Sequence, residues 1–377
     1  MRLTASRDEL AEATRWAARQ LPAKPTMPVL AGLLLEATGD TLTVSGYNRE
    51  TAGQAVVDSS TEETGTAIVP GKLFADIVAA LPAGIVELDA TEHEMRVSLG
   101  DREQYNLPLM PDRDYPALPA APAVNGTVAA DEFAAAISDV SGAAMALNDA
   151  VGANEALGSI RITADGDTLT IAATDRYRIA VRTIAWTPER DVTGNLLIPT
   201  PILSTAAKAL ASAGKVQLAF NQQGSNVAIQ TDQLTLITRT TDTKFPDVQA
   251  LMPTEDTAIG SLQVDPGELI KALSRASLVT DKSKARNLRL TMRGDHVDIS
   301  ARGDGPTSRT AVDADIDGLE DDFAIAFNAT YLASVLAPID GAARISVYTP
   351  LKPALVRPAD ADADYTAVLM PVRLTHA

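Results

Sequence analysis

The sequence predicts an α+β chain of three similar units, each laid out as β-α-β-β-β twice over, with two helices lying on antiparallel sheet. Three observations carry this. The run GDTLTVSGYN from Gly39 returns as GDTLTIAATD from Gly166 and as GDHVDISARG from Gly294, at steps of 127 and 128 residues. Two kinds of segment that place an alternating stretch before a helical one recur in the same order. RLTASRDELAEATRWAARQL, GTVAADEFAAAISDVSGAAM and GSLQVDPGELIKALSRASLV form the first set. TAIVPGKLFADIVAALP, NLLIPTPILSTAAKALA and FAIAFNATYLASVLAPI form the second, with Pro70, Pro199 and Asn328 spaced 129 residues apart. The closing runs YNLPLMPDRDYPALP, LITRTTDTKFPDVQALMP and YTAVLMPVRL also correspond. A solenoid repeat spans roughly 20–45 residues, so copies of this length each bury a core of their own.

The helices are predicted from apolar residues three and four apart: Leu73, Phe74, Ile77, Val78 and Leu81 in one stripe, Leu269, Ile270, Leu273 and Ala276 in another, Tyr331, Leu332, Val335 and Leu336 in a third. The strands are predicted from β-branched alternation, as in Leu42-Thr43-Val44, Leu169-Thr170-Ile171 and Val297-Asp298-Ile299, each behind a Gly-Asp turn. The Pro- and Ala-rich stretch Pro116–Val124 and the segment Pro253–Ala258 fall where the repeats restart. Domains over 1–121, 122–253 and 254–377 follow.

Composition excludes several classes of function. The 377 residues contain no cysteine, which removes disulfides, thiolate metal sites and cysteine nucleophiles. His93, His296 and His376 follow no metal-ligand spacing, so solvated residues are the stronger reading. No apolar run reaches the roughly 18 residues of a membrane span, and the start of the chain lacks the apolar stretch of a signal peptide, so a cytoplasmic protein without membrane contact is expected. The net charge of −17 is uneven. The six helical segments with their flanks carry +5 and everything else −22. Basic helices alone are a weak nucleic-acid footprint, because helices accommodate Lys and Arg readily without a partner.

Catalytic motifs fail on inspection. Gly65–Leu73 (GTAIVPGKL) has five residues between its glycines, and Leu73 stands where a phosphate loop needs Ser or Thr, so Gly71-Lys72 reads as a helix start. Asp313, Asp315, Asp317 and Gly318 match half of a calcium loop whose twelfth position, Ala324, is not the bidentate Glu. Asp360, Asp362 and Asp364 read as a polar turn, and no residue supports a claim of catalysis or of a cofactor.

Six blocks in order suggest a family: PTMPVLAGLLLEA (Pro25–Ala37), MPDRDYPALP (Met110–Pro119), ATDRYRIAVR (Ala173–Arg182), TKFPDVQALMP (Thr243–Pro253), IAFNATYL (Ile325–Leu332) and the terminal YTAVLMPVRL. Along its whole length the chain resembles the bacterial sliding clamp, the beta subunit of DNA polymerase III. The resemblance implies three DNA-clamp domains making half of a homodimeric ring, helices inside around duplex DNA and sheets outside. It implies processivity without chemistry or cofactor. The implied partners are double-stranded DNA held independently of sequence, the replicative polymerase, the clamp loader, and other polymerases and repair proteins that bring short hydrophobic peptides.

The basic residues expected on the inner surface are Arg7, Arg15, Arg19, Lys24, Lys72, Lys208, Lys215, Lys271, Arg275 and Lys282, of which Lys24 and Lys72 align with basic positions that touch DNA in the family. Thr200 and Pro201 replace an Arg-Lys pair, so that contact is expected to be lost. The peptide groove would comprise Leu157, Thr174, Arg176, Tyr177, Arg178, Ile179, Pro246, Leu251, Asn328, Tyr331, Pro353, Val368, Met370, Pro371, Val372 and Arg373. Without the resemblance, Ile179, Val368 and Met370 read as core residues. The family's T-D-G-H-R-L reads Thr174-Asp175-Arg176-Tyr177-Arg178-Ile179, and Asn154 and Ala156 replace positions that are often basic and aromatic or aliphatic. A specialised second copy of the clamp, with altered partner or inhibitor binding, is therefore the alternative reading. Subunit contacts would join Tyr105 and Leu107 of one copy to Leu278 and Val279 of another.

Overall fold

The computed structural model describes residues 1–111, 114–189, 192–221, 226–280, 286–303, 305–360 and 363–373. The first repeat runs β1 (Arg2–Ser6), α1 (Arg7–Ala18), β2 (Gly32–Thr38), β3 (Thr41–Tyr47), β4 (Thr51–Glu63), β5 (Gly65–Pro70), α2 (Gly71–Ala80), β6 (Ile85–Ala90), β7 (Glu94–Leu99) and β8 (Glu103–Pro108). The second runs β9 (Val124–Ala129), α3 (Ala130–Ser141), β10 (Ser159–Asp165), β11 (Thr168–Thr174), β12 (Arg178–Ala185), the short β13 (Thr187–Pro188), β14 (Gly194–Pro199), α4 (Thr200–Leu210), β15 (Lys215–Phe220), β16 (Asn226–Gln230) and β17 (Leu234–Arg239). The third runs β18 (Gly260–Val264), α5 (Pro266–Ala276), β19 (Asn287–Arg293), β20 (His296–Arg302), β21 (Thr307–Asp313), the short β22 (Asp315–Asp317), β23 (Ala324–Asn328), α6 (Ala329–Leu336), β24 (Ala343–Val347), β25 (Ala354–Pro358) and β26 (Tyr365–Leu369). Apart from β13 and β22, each repeat is the doubled β-α-β-β-β that the periodicity predicts. The glycines that open the three matching runs have φ of 57°, 56° and 61°, a left-handed turn that a side chain would strain.

Pairing does not stop at the repeats. Among the described residues the ladders are antiparallel, and β17 of the second repeat joins β4 of the first, just as β26 of the third joins β12 of the second. The result is a 13-stranded sheet, a nine-stranded sheet and a four-stranded sheet in the order β21-β20-β19-β23. The chain accordingly divides into two compact units. The first is Met1–Ala130, Thr187–Arg190 and Ser212–Thr240; the second is Asp131–Trp186, Asp191–Ala211 and Thr241–Ala377. The second repeat is shared between them because its two halves pair with different neighbours.

Each unit packs helices on sheet. In the first, Leu10 and Trp16 of α1 are buried, and the Trp16 Nε1 donates to the carbonyl of Thr235 at 3.2 Å, tying α1 to β17. Burying such a side chain is worth about 1.5–3 kcal/mol. In α2 the predicted stripe holds for Phe74, Val78 and Leu81, but Leu73 is 51% exposed. The buried stripe is therefore narrower than the apolar pattern of the sequence. Gly71 opens α2 where a Cβ would lie 2.5 Å from Leu21 Cδ1 and 3.0 Å from the Ala31 carbonyl. Its small size serves packing, in line with a helix start.

In the second unit α5 is capped by Asp265, whose carboxylate accepts from the Glu268 N–H at 2.8 Å, and α6 by Asn328, which accepts from Thr330 and Tyr331. Across the four-stranded sheet, Asp298 of β20 accepts from Arg309 of β21 and from Arg293 of β19. Arg309 is the main reason the Asp298 carboxyl titrates below the usual carboxylate range, while its partial desolvation acts the other way. A depressed folded pKa means that the pair stabilises above the ordinary carboxylate range, and that this stabilisation is lost as pH falls through the folded value. Replacing Asp298 with Ala is expected to cost about 1 kcal/mol at pH 7 and progressively less as pH falls below the ordinary carboxylate range, measured by urea unfolding.

Candidate functional site

The richest cluster of sequence-predicted site residues lies in the second unit, where β12 meets β26. The turn from β11 into β12 is built by Asp175, which is almost fully buried. Its Oδ1 accepts from the N–H groups of Tyr177 and Arg178 at 3.0 Å, and its Oδ2 accepts from Arg178 Nε at 3.0 Å. Arg176 sits at the tip with φ 79°, a conformation that this Asx turn imposes on a non-glycine residue. Thr174 Oγ1 closes the turn by donating to the Arg178 carbonyl at 2.8 Å.

The turn aims three side chains. The Arg178 guanidinium lies 4.3 Å from the centre of the Tyr331 ring and donates to Ser334 Oγ. Tyr177 is 58% exposed, and its ring stacks on that of Tyr331 with centroids 6.0 Å apart and planes 26° from parallel. Arg176 donates to the carboxamide oxygen of Asn154. Burial, and after it the Asp175 carboxylate, raises the Tyr331 phenol above its ordinary pKa. From the other side Met370 N–H donates to the Tyr177 carbonyl at 2.8 Å, and Val372 N–H to the Ala326 carbonyl at 2.7 Å.

Beneath lies an apolar floor of Ala156, Ala172, Ile179, Leu197, Phe245, Val248, Tyr348, Leu355 and Val368. Ile179 and Val368 are paired across β12 and β26 and are buried, so each is both core and floor. Leu157 is buried beside it in sequence, and its carbonyl accepts from Met145. Pro246 and Pro353 are half-buried, and Leu251 and Met370 are exposed apolar residues. A surface of this kind binds an apolar segment: anchors meet the floor, and the turn's polar groups supply a few directed hydrogen bonds. The sequence reading missed Asp175, Phe245, Val248, Ser334, Tyr348 and Leu355. Asp175 was findable, because Asp three residues before Arg at the end of a strand is Asx-turn chemistry.

The basic residues are surface groups in both units. Arg15, Arg19, Lys24, Lys72 and Lys215 are exposed in the first unit, and Lys208, Lys271 and Arg275 in the second. Arg7 is half-buried at the start of α1 and paired with Asp8 at 3.2 Å, and Lys271 is paired with Glu268 at 2.9 Å. Lys282 lies outside the described residues. The exposed face of α1 runs Asp8, Glu9, Glu12, Arg15, Arg19, and that of α5 runs Glu268, Lys271, Arg275. Acid first and base last also complements the helix macrodipole. The half-matched calcium loop is strand: Asp313 ends β21 and Asp315–Asp317 is β22. Of the residues expected to join two copies, Tyr105 is partly exposed, Leu278 is 77% exposed, Val279 is half-buried, and Leu107 is buried within its own unit.

Three family models match in order: DNA polymerase III beta subunit, N-terminal domain, over residues 1–119; central domain, over 127–247; and C-terminal domain, over 249–373. The chain belongs to the DNA polymerase III beta subunit family, the beta sliding clamps. It is 37% identical to the beta sliding clamp of Streptomyces coelicolor over the full length of both chains. It is 33% identical to the beta sliding clamp homolog GriR of Streptomyces muensis over 99% of each. The fold matches the DNA polymerase sliding clamp of Bacillus subtilis with a TM-score of 0.91 at 21% identity over the whole of both chains. It matches the DNA polymerase III subunit beta of Pseudomonas aeruginosa with a TM-score of 0.90 at 25% identity, covering 99% of this chain and 100% of that one. The function is that of a sliding clamp in DNA replication, and the reading of a specialised second copy is not favoured. The family acts as a processivity factor rather than as a catalyst. Among the described residues no helix is long and apolar enough to cross a membrane.

Proposed function

We propose that two copies of this clamp, each with domains over 1–121, 122–253 and 254–377, close head to tail into a ring around duplex DNA. In this ring β8 of one copy pairs with β21 of the other. The observation that carries the proposal is a pair of free strand edges with a common register. Among the described residues β8 pairs only with β7, and β21 only with β20. By the repeat, β21 corresponds to β4 and β12, and β8 corresponds to β17 and β26.

The matching backbone bonds from Met110 to Ile68, Thr241 to Leu197 and Val372 to Ala326 put equivalent positions of the closing strands 131 residues apart. The junction in the first unit pairs Leu234 with Ala55, and the junction in the second pairs Tyr365 with Arg182. Both translate to Glu103 of one copy opposite Thr310 of the next. Tyr105 then faces Ser308, next to Leu278 and Val279. Head-to-tail contacts of this kind generate closed rings when the rotation permits.

Duplex DNA inside such a ring meets Arg7, Arg15, Arg19, Lys24, Lys72, Lys208, Lys215, Lys271, Arg275 and Lys282 through its phosphates alone, which leaves it free to slide. The clamp has no catalytic activity of its own and works in the cytoplasm. Polymerases, the clamp loader and repair proteins dock through apolar peptides in the groove around Tyr177, Tyr331 and Met370. Retention on nicked circular duplex DNA, followed by cutting the circle, tests the ring. The clamp is expected to stay on the circle and to leave the linear product, and equal retention on both would sink the topological reading. Charge reversal of Lys24 and Lys72 to Glu should weaken DNA association about tenfold at low salt and reduce the salt slope by about two, while the dimer mass is unchanged.

A further inference from the structure

The row of residues crossing the groove floor contains one charged side chain. Arg161 of β10 pairs with Ala172 of β11 and with Leu197 of β14, and both neighbours belong to the floor. Strand alternation points Ile160, Ile162 and Ala164 to the opposite, buried face. An apolar residue would suit the position of Arg161 equally well. Instead a guanidinium lies there 5.0 Å from the centre of the Phe245 ring, with its Nε buried and without a hydrogen-bond partner. The cation lies against the aromatic face; burial lowers its pKa, and the charge of Asp247, two residues on from Phe245, acts the other way.

We infer that Arg161 is a positioning residue for the peptide groove, acting from below through Phe245. Phe245 precedes the groove residue Pro246, and the segment after it folds back on itself. Ala250 N–H donates to Asp247 Oδ1 at 3.3 Å, and Leu251 N–H donates to the Val248 carbonyl at 3.2 Å. Holding Phe245 and attracting Asp247 therefore fixes the arm that presents Leu251 to a ligand. A peptide lying over the floor removes water from it, and a cation–π contact strengthens as it is desolvated. Occupancy of the groove and closure of this arm thus favour one another, which slows departure of the peptide more than it speeds arrival.

The inference rests on the groove reading, and the test separates the two. The full-length clamp and its variants are titrated into a fluorescein-labelled decapeptide with Leu and Phe anchors, with anisotropy reporting affinity and stopped-flow displacement reporting dissociation. Arg161→Met is expected to weaken binding about tenfold, mostly through faster dissociation, and Arg161→Lys to fall between the two. In a Phe245→Leu background the step from Arg161 to Met should cost less than about twofold, since the residue it acts through is gone. The dimer mass should be unchanged throughout. Wild-type affinity in Arg161→Met, or its full effect persisting in the Phe245→Leu background, would overturn the inference while leaving the groove intact. Failure of the unmodified clamp to bind the peptide removes the groove, and the inference with it. If Arg161→Met does not fold, Arg161→Lys carries the same comparison.

Discussion

Replacing Glu103 and Thr310 with cysteine is expected to yield a covalently closed dimer on mild oxidation, seen as a doubled mass on a non-reducing gel. The background is clean because the natural chain has no cysteine. Directly opposed residues of an antiparallel pair have Cβ atoms about 4.5–5.5 Å apart, close enough for a disulfide after small adjustment. The two positions should form a pair without mutual hydrogen bonds. In the first unit Val56 N–H donates to the Gln233 carbonyl, which makes the neighbouring pair Ala55 and Leu234, the counterpart of Thr310 and Glu103, the non-hydrogen-bonded kind with its side chains closer. Slipping the register by one, with Glu103→Cys and Ala311→Cys, turns one cysteine to the opposite face and should form little disulfide. Equal cross-linking of both pairs would refute the register.

The locked ring should also change the behaviour on DNA by the largest factor of any variant. When loaded in reducing buffer on nicked circular duplex and then oxidised, it should resist salt that strips the unlocked clamp. Cutting the circle should still release it. Phosphate contacts are weakened steeply by salt, whereas a topological link is not.

A chain ended after Leu369 is expected to lose peptide affinity by about a hundredfold or more while remaining a dimer. The cut removes the exposed Met370 side chain and the N–H groups that bond the carbonyls of Tyr177 and Ala326. Groups at the centre of a small apolar site carry most of its binding energy, and several go at once. β26 itself and its pairing with β12 and β25 stay in place, so unfolding midpoints should move little. Normal peptide binding by the shortened chain would show that the groove lies elsewhere.

The element order was legible because apolar periodicity and the Gly-Asp turns act locally. The partition into two units was not, since it depends on β4 meeting β17 and β12 meeting β26, strands nearly two hundred residues apart whose own patterns do not name their partners. Residues named for the groove from their family counterparts, such as Ile179, Tyr331 and Val368, lie on β12, α6 and β26. Asp175 and Phe245 stood inside the quoted blocks but escaped, because their work is done beneath the surface. Arg161 escaped for a different reason. A charged residue in an alternating strand reads as solvent-facing, and only the covering segment around Phe245 makes it a half-buried cation.

The Asx turn at Asp175 has a twin in the first unit, where Asn48 Oδ1 accepts from Glu50 and Thr51 and Arg49 again has φ 79°. Behind that twin the apolar cluster is Ala52, Ala219, Ala228 and Ile237, with alanine where the groove has Ile179 and Leu355. One backbone frame therefore serves one site bearing large side chains and one bearing small ones.

An unpaired strand edge is also a hazard in itself, because any stray extended segment can add to it. β8 and β21 each present such an edge, and neither carries a proline at its centre to blunt it. Closing the proposed ring would leave no edge of this kind exposed at either place. A variant kept monomeric should on this account be the less soluble form, prone to growing into chains of copies, and ring closure would then protect the protein before any DNA has passed through it.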